Sequence, residues 1–153
     1  MKFPNRRQLL LGLGALALVL LAIQAIPYGR HHTNPPIVRE PAWDSPRTRQ
    51  LAVRACFDCH SNETRWPWYA AIAPVSWLVQ HDVDEGRHEL NFSDWQGGTR
   101  EGEKPEELRE EIEEGAMPPL PFLLLHPEAR LTEAEEKELV AGLVATATRE
   151  LSP

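Results

Sequence analysis

Cys56-Phe57-Asp58-Cys59-His60 contains both cysteines of this 153-residue chain and places a histidine directly after the second. The spacing C-x-x-C-H reads as c-type haem attachment. Two thiols separated by two residues reach one edge of a porphyrin, where each adds to a vinyl group. The adjacent imidazole then ligates the iron from one face. Other uses of the pair fit less well. A thioredoxin-like dithiol expects a βαβ pattern around it, and the flanking sequence has no strand character. A structural zinc site needs four ligands, but no further cysteine exists and the other histidines are scattered. A disulfide across two residues closes a very small, strained loop. The motif therefore predicts one haem c, bound by Cys56, Cys59 and His60.

The compartment is read from the N-terminus. Lys2, Arg6 and Arg7 precede an apolar run from Leu9 to Ile26, eighteen residues interrupted by Gln24 and two glycines. That length is at the short end for a bilayer crossing, and the positive flank stays cytoplasmic. The run is longer than an ordinary signal core and ends without an Ala-x-Ala site, so a retained anchor is favoured over a cleaved signal. The expectation is an inner-membrane, single-pass protein with its haem domain in the periplasm; a cleaved, soluble periplasmic form is the alternative. Residues 27–45 are Pro-rich and polar and read as a semi-rigid linker in which His31 and His32 are solvated. The expected organisation is a basic cytoplasmic segment (1–8), an anchor (9–26), the linker (27–45) and one haem-binding domain (46–153).

Setting aside Lys2, Arg6 and Arg7 leaves 13 basic against 23 acidic residues, a net charge of −10. Nucleic acid is thereby excluded as a partner, and the acidic stretch reads either as a solvated helix face or as a docking patch for a redox partner with a basic face.

The domain reads as all-α. Ser45 and Pro46 form a start signal for a helix that turns Leu51, Ala52 and Ala55 to the core and delivers Cys56–His60 near its end. A second helix starts at Pro74 with Val75, Leu78 and Val79 as its apolar stripe, and Gly86 is placed to break it. Pro105 opens a third, carrying Leu108 and Ile112, with Gly115 as its stop. Thr132 and Glu135 form a capping box for a last helix lined by Val140, Leu143, Val144 and Ala147.

An early helix bearing the motif, a Met-Pro segment and a capped final helix resemble the class I cytochrome c architecture, in which a methionine binds the distal side of the haem. A longer match runs through Cys56-Phe57-Asp58-Cys59-His60-Ser61-Asn62-Glu63-Thr64-Arg65-Trp66-Pro67-Trp68-Tyr69 and Ile72-Ala73-Pro74-Val75-Ser76-Trp77-Leu78-Val79. It continues with His81, Glu85-Gly86-Arg87, Leu90-Asn91-Phe92-Ser93, Gly115-Ala116-Met117-Pro118 and His126-Pro127. This pattern resembles the bacterial haem-binding domain family of small, exported, single-haem proteins. The resemblance implies a c-type haem domain and leaves the pathway open.

The candidates for the sixth ligand are Met117, His81, His88 and His126. Met117 follows a helix stop and precedes Pro118-Pro119, which fix the backbone, so it is preferred, with His81 as its rival. The proximal imidazole needs an acceptor for its second nitrogen, expected from a carbonyl near Pro67 or Pro74. Trp66, Trp68 and Trp77 are expected to wall the pocket, and an indole or Arg65 to bind a propionate. With both axial positions filled, the expected function is one-electron transfer and not enzyme catalysis. The alternative is a haem-based sensor or peroxidase-like protein with an open or labile distal site, where His81 or Arg87 acts on the bound molecule.

Overall fold

A computed structural model describes residues 5–151. Among them are seven α-helices: α1 (Arg6–Ile23), α2 (Pro46–Ala55), α3 (Phe57–His60), α4 (Val75–Glu89), α5 (Pro105–Glu113), α6 (Leu120–Leu125) and α7 (Glu133–Leu151). Short 3₁₀ turns lie at Trp68–Ala71, Glu101–Glu103 and Pro127–Ala129. No strand occurs among the described residues; the only β pairing there is an isolated bridge between Arg39 and Asp94. The chain is all-helical, as its periodicity predicts.

Two compact units form. One holds the residues up to His32 together with Trp66–His81; the other holds Thr33–Arg65 and the residues from Asp82 onward. In the first, Asn5 caps α1 through a reciprocal box with Gln8, at 2.9 and 3.0 Å. The helix is apolar, with no buried residue, and long enough to cross a membrane by length and composition. Gln24, which interrupts the apolar run, pairs its amide with the backbone of Ala73, donating to the carbonyl at 2.8 Å and accepting from the N–H at 3.1 Å. His32 is not a free linker residue. Its ring stacks on Trp66 at 4.3 Å, and its Nε2 lies 3.0 Å from the Gly29 carbonyl and 3.1 Å from that of Ala70.

In the second unit, the Ser45 hydroxyl accepts from the Thr48 N–H at 3.1 Å and starts α2. Leu51 and Ala52 of α2 are buried with Leu139, Leu143 and Ala147 of α7 and Leu108 and Ile112 of α5. Helix α7 packs on both α2 and α5. The α2–α7 contact is close because Gly142 lacks a Cβ, which would collide with the Thr48 side chain. Gly115, at φ 74°, ends α5 as expected and donates to the Ile112 carbonyl at 3.0 Å.

The remainder of the 27–45 stretch is extended, as its prolines dictate, but it does not hang free of the domain. Asn62 donates to the Pro36 carbonyl and Asn34 to that of Thr64, both at 2.9 Å. Val38 donates to the Ser93 carbonyl at 2.8 Å, and Trp95 to that of Arg39 at 3.0 Å. Arg39 also pairs with Glu150 near the end of α7. Composition reports the extended backbone and is silent on where its carbonyls find donors.

Helix α4 departs from its expected register. Val75 and Leu78 are exposed, while Ser76 and Val83 are fully buried. Small residues occupy this face because main chain comes against it: a Cβ on Gly29 would overlap the Ser76 carbonyl. Nor does Gly86 end the helix, which continues to Glu89.

The capping box of α7 carries a pH dependence. Glu135 accepts two bonds from Arg54, at 2.9 and 2.6 Å, and one from the Thr132 N–H at 3.0 Å. The Arg54 hydrogen bonds lead in lowering its pKa from 4.5 to about 2. A depressed carboxylate adds stability that is complete above its unfolded pKa and is lost as pH falls through the folded one. Urea midpoints are therefore expected to fall between pH 4.5 and about 2, and to fall less steeply in Glu135→Gln. Parallel curves for the two proteins would remove Glu135 from this role.

Candidate haem site

Helix α2 does not run through the cysteine motif. The backbone turns at Cys56 (φ −123°, ψ −33°) and re-enters one helical turn, α3. The Cys56 carbonyl accepts from the N–H groups of Cys59 at 3.2 Å and His60 at 2.9 Å, so the five residues form one tight loop. Both cysteines are free thiols. Burial, the leading cause, pushes the Cys56 and Cys59 thiols up to about 12. A reactive dithiol needs the opposite shift, so redox exchange is not what this environment favours.

Side chains within and after the motif hold the loop in place. Asp58 is buried and accepts from Arg65 three times: the backbone N–H at 3.1 Å, Nε at 3.1 Å and Nη2 at 2.9 Å. Arg65, expected at a propionate, is thus committed to Asp58. The Ser61 hydroxyl donates to the Phe57 carbonyl at 2.7 Å. A buried amide ladder follows, with Asn91 donating to Asn62 at 2.9 Å and the Asn62 N–H donating to the Ser93 hydroxyl at 3.0 Å.

The His60 ring is held from α4. Its Nδ1 lies 2.9 Å from the Gly86 carbonyl and 3.2 Å from that of Leu90. Both neighbours are acceptors, so Nδ1 carries the proton and Nε2 keeps the lone pair. The carbonyl expected near Pro67 or Pro74 is instead supplied by Gly86 and Leu90. Burial lowers the His60 pKa, opposed by these two backbone bonds, which keeps the ring neutral.

Beside His60 lies a partly open pocket of about 750 Å³, a volume that includes space open to solvent. Its apolar wall comes from Leu90, Phe92, Leu108, Ile112, Leu143 and Met117, and Cys56 and His60 also line it. Glu89, Glu101, Glu107 and Glu111 also border it. Met117 is positioned by its N–H, which donates to the Glu111 carbonyl at 2.9 Å. Among the four distal candidates, Met117 alone lines the pocket. His81 is exposed on α4, and His88 is exposed beside Glu89 at 3.0 Å. His126 stacks on Phe122 at 4.1 Å, with Nδ1 3.0 Å from the Phe122 carbonyl.

Three aromatic expectations are corrected. Trp66, Trp68 and Trp77 belong to the first unit and do not line this pocket; Trp68 is 80 % exposed. The aromatic wall is Phe92, stacked between Phe57 at 5.5 Å and Trp95 at 6.2 Å. Its signal in the sequence was the Leu90-Asn91-Phe92-Ser93 block, where a buried phenylalanine sits among residues that bond back to the motif. Arg87 is likewise no pocket residue. It donates to the Ser61 carbonyl at 2.8 Å and to Thr64 and Asn34 at 3.0 Å.

An apolar pocket combining an imidazole with a free Nε2, a thioether and a cysteine thiol suits a soft-ligand iron porphyrin. The family model described as haem-binding domain matches residues 18–145. The chain belongs to the haem-binding domain family. No curated protein and no solved structure matches it. The span matched as a haem-binding domain takes in every pocket residue and the end of α1.

Proposed function

We propose that this haem-binding domain holds one haem covalently through Cys56 and Cys59, with His60 and Met117 as axial ligands, and serves as a one-electron carrier. The observation that carries the proposal is the single pocket on which Cys56, His60 and Met117 converge. When bound, the haem iron supplies a ferric–ferrous couple. His60 presents a neutral ring fixed by two carbonyls, and Met117 offers a soft sulfur that favours ferrous iron. Leu90, Phe92, Leu108, Ile112 and Leu143 exclude water from the macrocycle face. The sensor or peroxidase-like reading is weakened because Arg87 is committed to backbone and side-chain acceptors and His81 lies off the pocket.

On this reading α1 anchors the protein in the inner membrane with its haem domain in the periplasm, raising its concentration near membrane redox enzymes. The acidic excess of the chain beyond the anchor favours a partner with a basic docking face, through on-rate and orientation.

Carbon monoxide tests the ligation. The reduced wild-type protein is expected to resist it, whereas Met117→Ala opens the distal position and binds it rapidly and stoichiometrically. Rapid binding by the wild type would overturn the electron-carrier reading.

A further inference from the structure

We propose that the C-terminal turn of α4 sets the electron-donating power of His60, with Gly86 as the positioning residue that brings it into range. The inference rests on His60 being an iron ligand, as proposed above. Gly86 meets the cysteine motif in two ways. Its carbonyl accepts from His60 Nδ1 at 2.9 Å and also from the Leu90 N–H at 3.0 Å. In addition, a Cβ at this position would lie 2.7 Å from the Cys59 carbonyl oxygen and 3.1 Å from the Cys59 Cβ. The helix backbone therefore touches the motif backbone, an approach that only glycine permits. Helix propensity alone favours alanine inside α4, so local preference does not account for the glycine.

The Leu90 carbonyl, just beyond the helix end, adds a second acceptor at 3.2 Å. Both oxygens belong to the negative end of the helix macrodipole. Acceptors drawing on Nδ1–H move electron density toward Nε2 and raise its basicity. A more basic axial nitrogen favours the ferric state and lowers the potential. This role differs from packing, because it acts on the ring and not only on the fold.

The test uses the full-length haem-loaded protein. Gly86→Ala is expected to push α4 away from Cys59, lengthen the His60 bond and raise the potential. A tenfold change in the ferric-to-ferrous preference corresponds to about 59 mV for one electron, the shift expected. Solvent exchange of the His60 ring N–H, read by NMR in the ferrous protein, should quicken about tenfold, as a direct report on the weakened bond. Val83→Ala, a cavity in the same helix, lowers thermal stability and leaves both readouts in place.

An unmoved potential in Gly86→Ala with both axial ligands retained would overturn the proposal, as would equal shifts in the two variants. A wild-type protein lacking histidine–iron ligation would overturn the ligation reading as well, which separates the two failures.

Discussion

Serine at both Cys56 and Cys59 is expected to reduce covalently bound haem from stoichiometric to none, measured as haem left on the chain after denaturation and acid extraction. Under the proposed attachment each cysteine sulfur would form one thioether to a vinyl group, so either single variant would keep one bond and show the altered pyridine haemochrome of a singly attached ring. The loop geometry makes the effect specific. The Cys56 carbonyl ties the N–H groups of Cys59 and His60, and serine keeps that backbone arrangement while removing the nucleophile. Binding through Nε2 of His60 can survive in the double variant, because the ring is held by Gly86 and Leu90 independently of sulfur. Haem that resists extraction from the double variant would refute thioether attachment.

The largest stability effect is expected at Glu103, which is completely buried. One carboxylate oxygen accepts from the Gln96 N–H and the other from the Gly98 N–H, both at 2.9 Å. Arg100 lies 3.6 Å away and supplies opposite charge. Glu103→Ala strips the acceptors from two backbone donors and leaves a partly buried arginine with less compensation, at a cost of about 3–5 kcal/mol. Few domains of this size hold more than about 15 kcal/mol in total. Glu103→Gln retains one good acceptor and is expected to lose about half as much. Urea unfolding measures both, and a loss under about 1 kcal/mol for the alanine variant would contradict the assignment. The effect reaches the pocket too. Neighbouring Glu101 and Gly102 line it, and a Cβ on Gly102 would lie 2.9 Å from the Glu89 carbonyl.

Start and stop chemistry was legible because it is local. Ser45 with Pro46, Pro105, Gly115 and the Thr132–Glu135 box each act within one helical turn, and α2, α5 and α7 begin or end where those residues stand. Cys56, His60 and Met117, which share one pocket, were singled out because their side chains carry distinctive chemistry. What stayed hidden depends on main chain. The partner of His60 is a carbonyl, and every residue has one, so no residue type marks it. The buried face of α4 is set by how near another backbone comes, which favours Ser76 and Gly86 over the apolar stripe at Val75 and Leu78. Tryptophans misled for a related reason: a large ring announces burial but not an address, and Trp68 is mostly exposed. Helix α6 has no cap side chain and no buried residue, leaving nothing for periodicity to find.

The placement of Leu143 has a bearing on biosynthesis. Cys56 and His60 emerge early from the ribosome, yet the pocket beside them draws a wall residue from α7, the last helix described. The same helix supplies the packing for α2 and α5. A nascent or prematurely terminated polypeptide lacking α7 would display the attachment motif with its cavity unfinished. Residue 143 thus completes the wall: a chain ending before it leaves the cavity beside His60 without its α7 side.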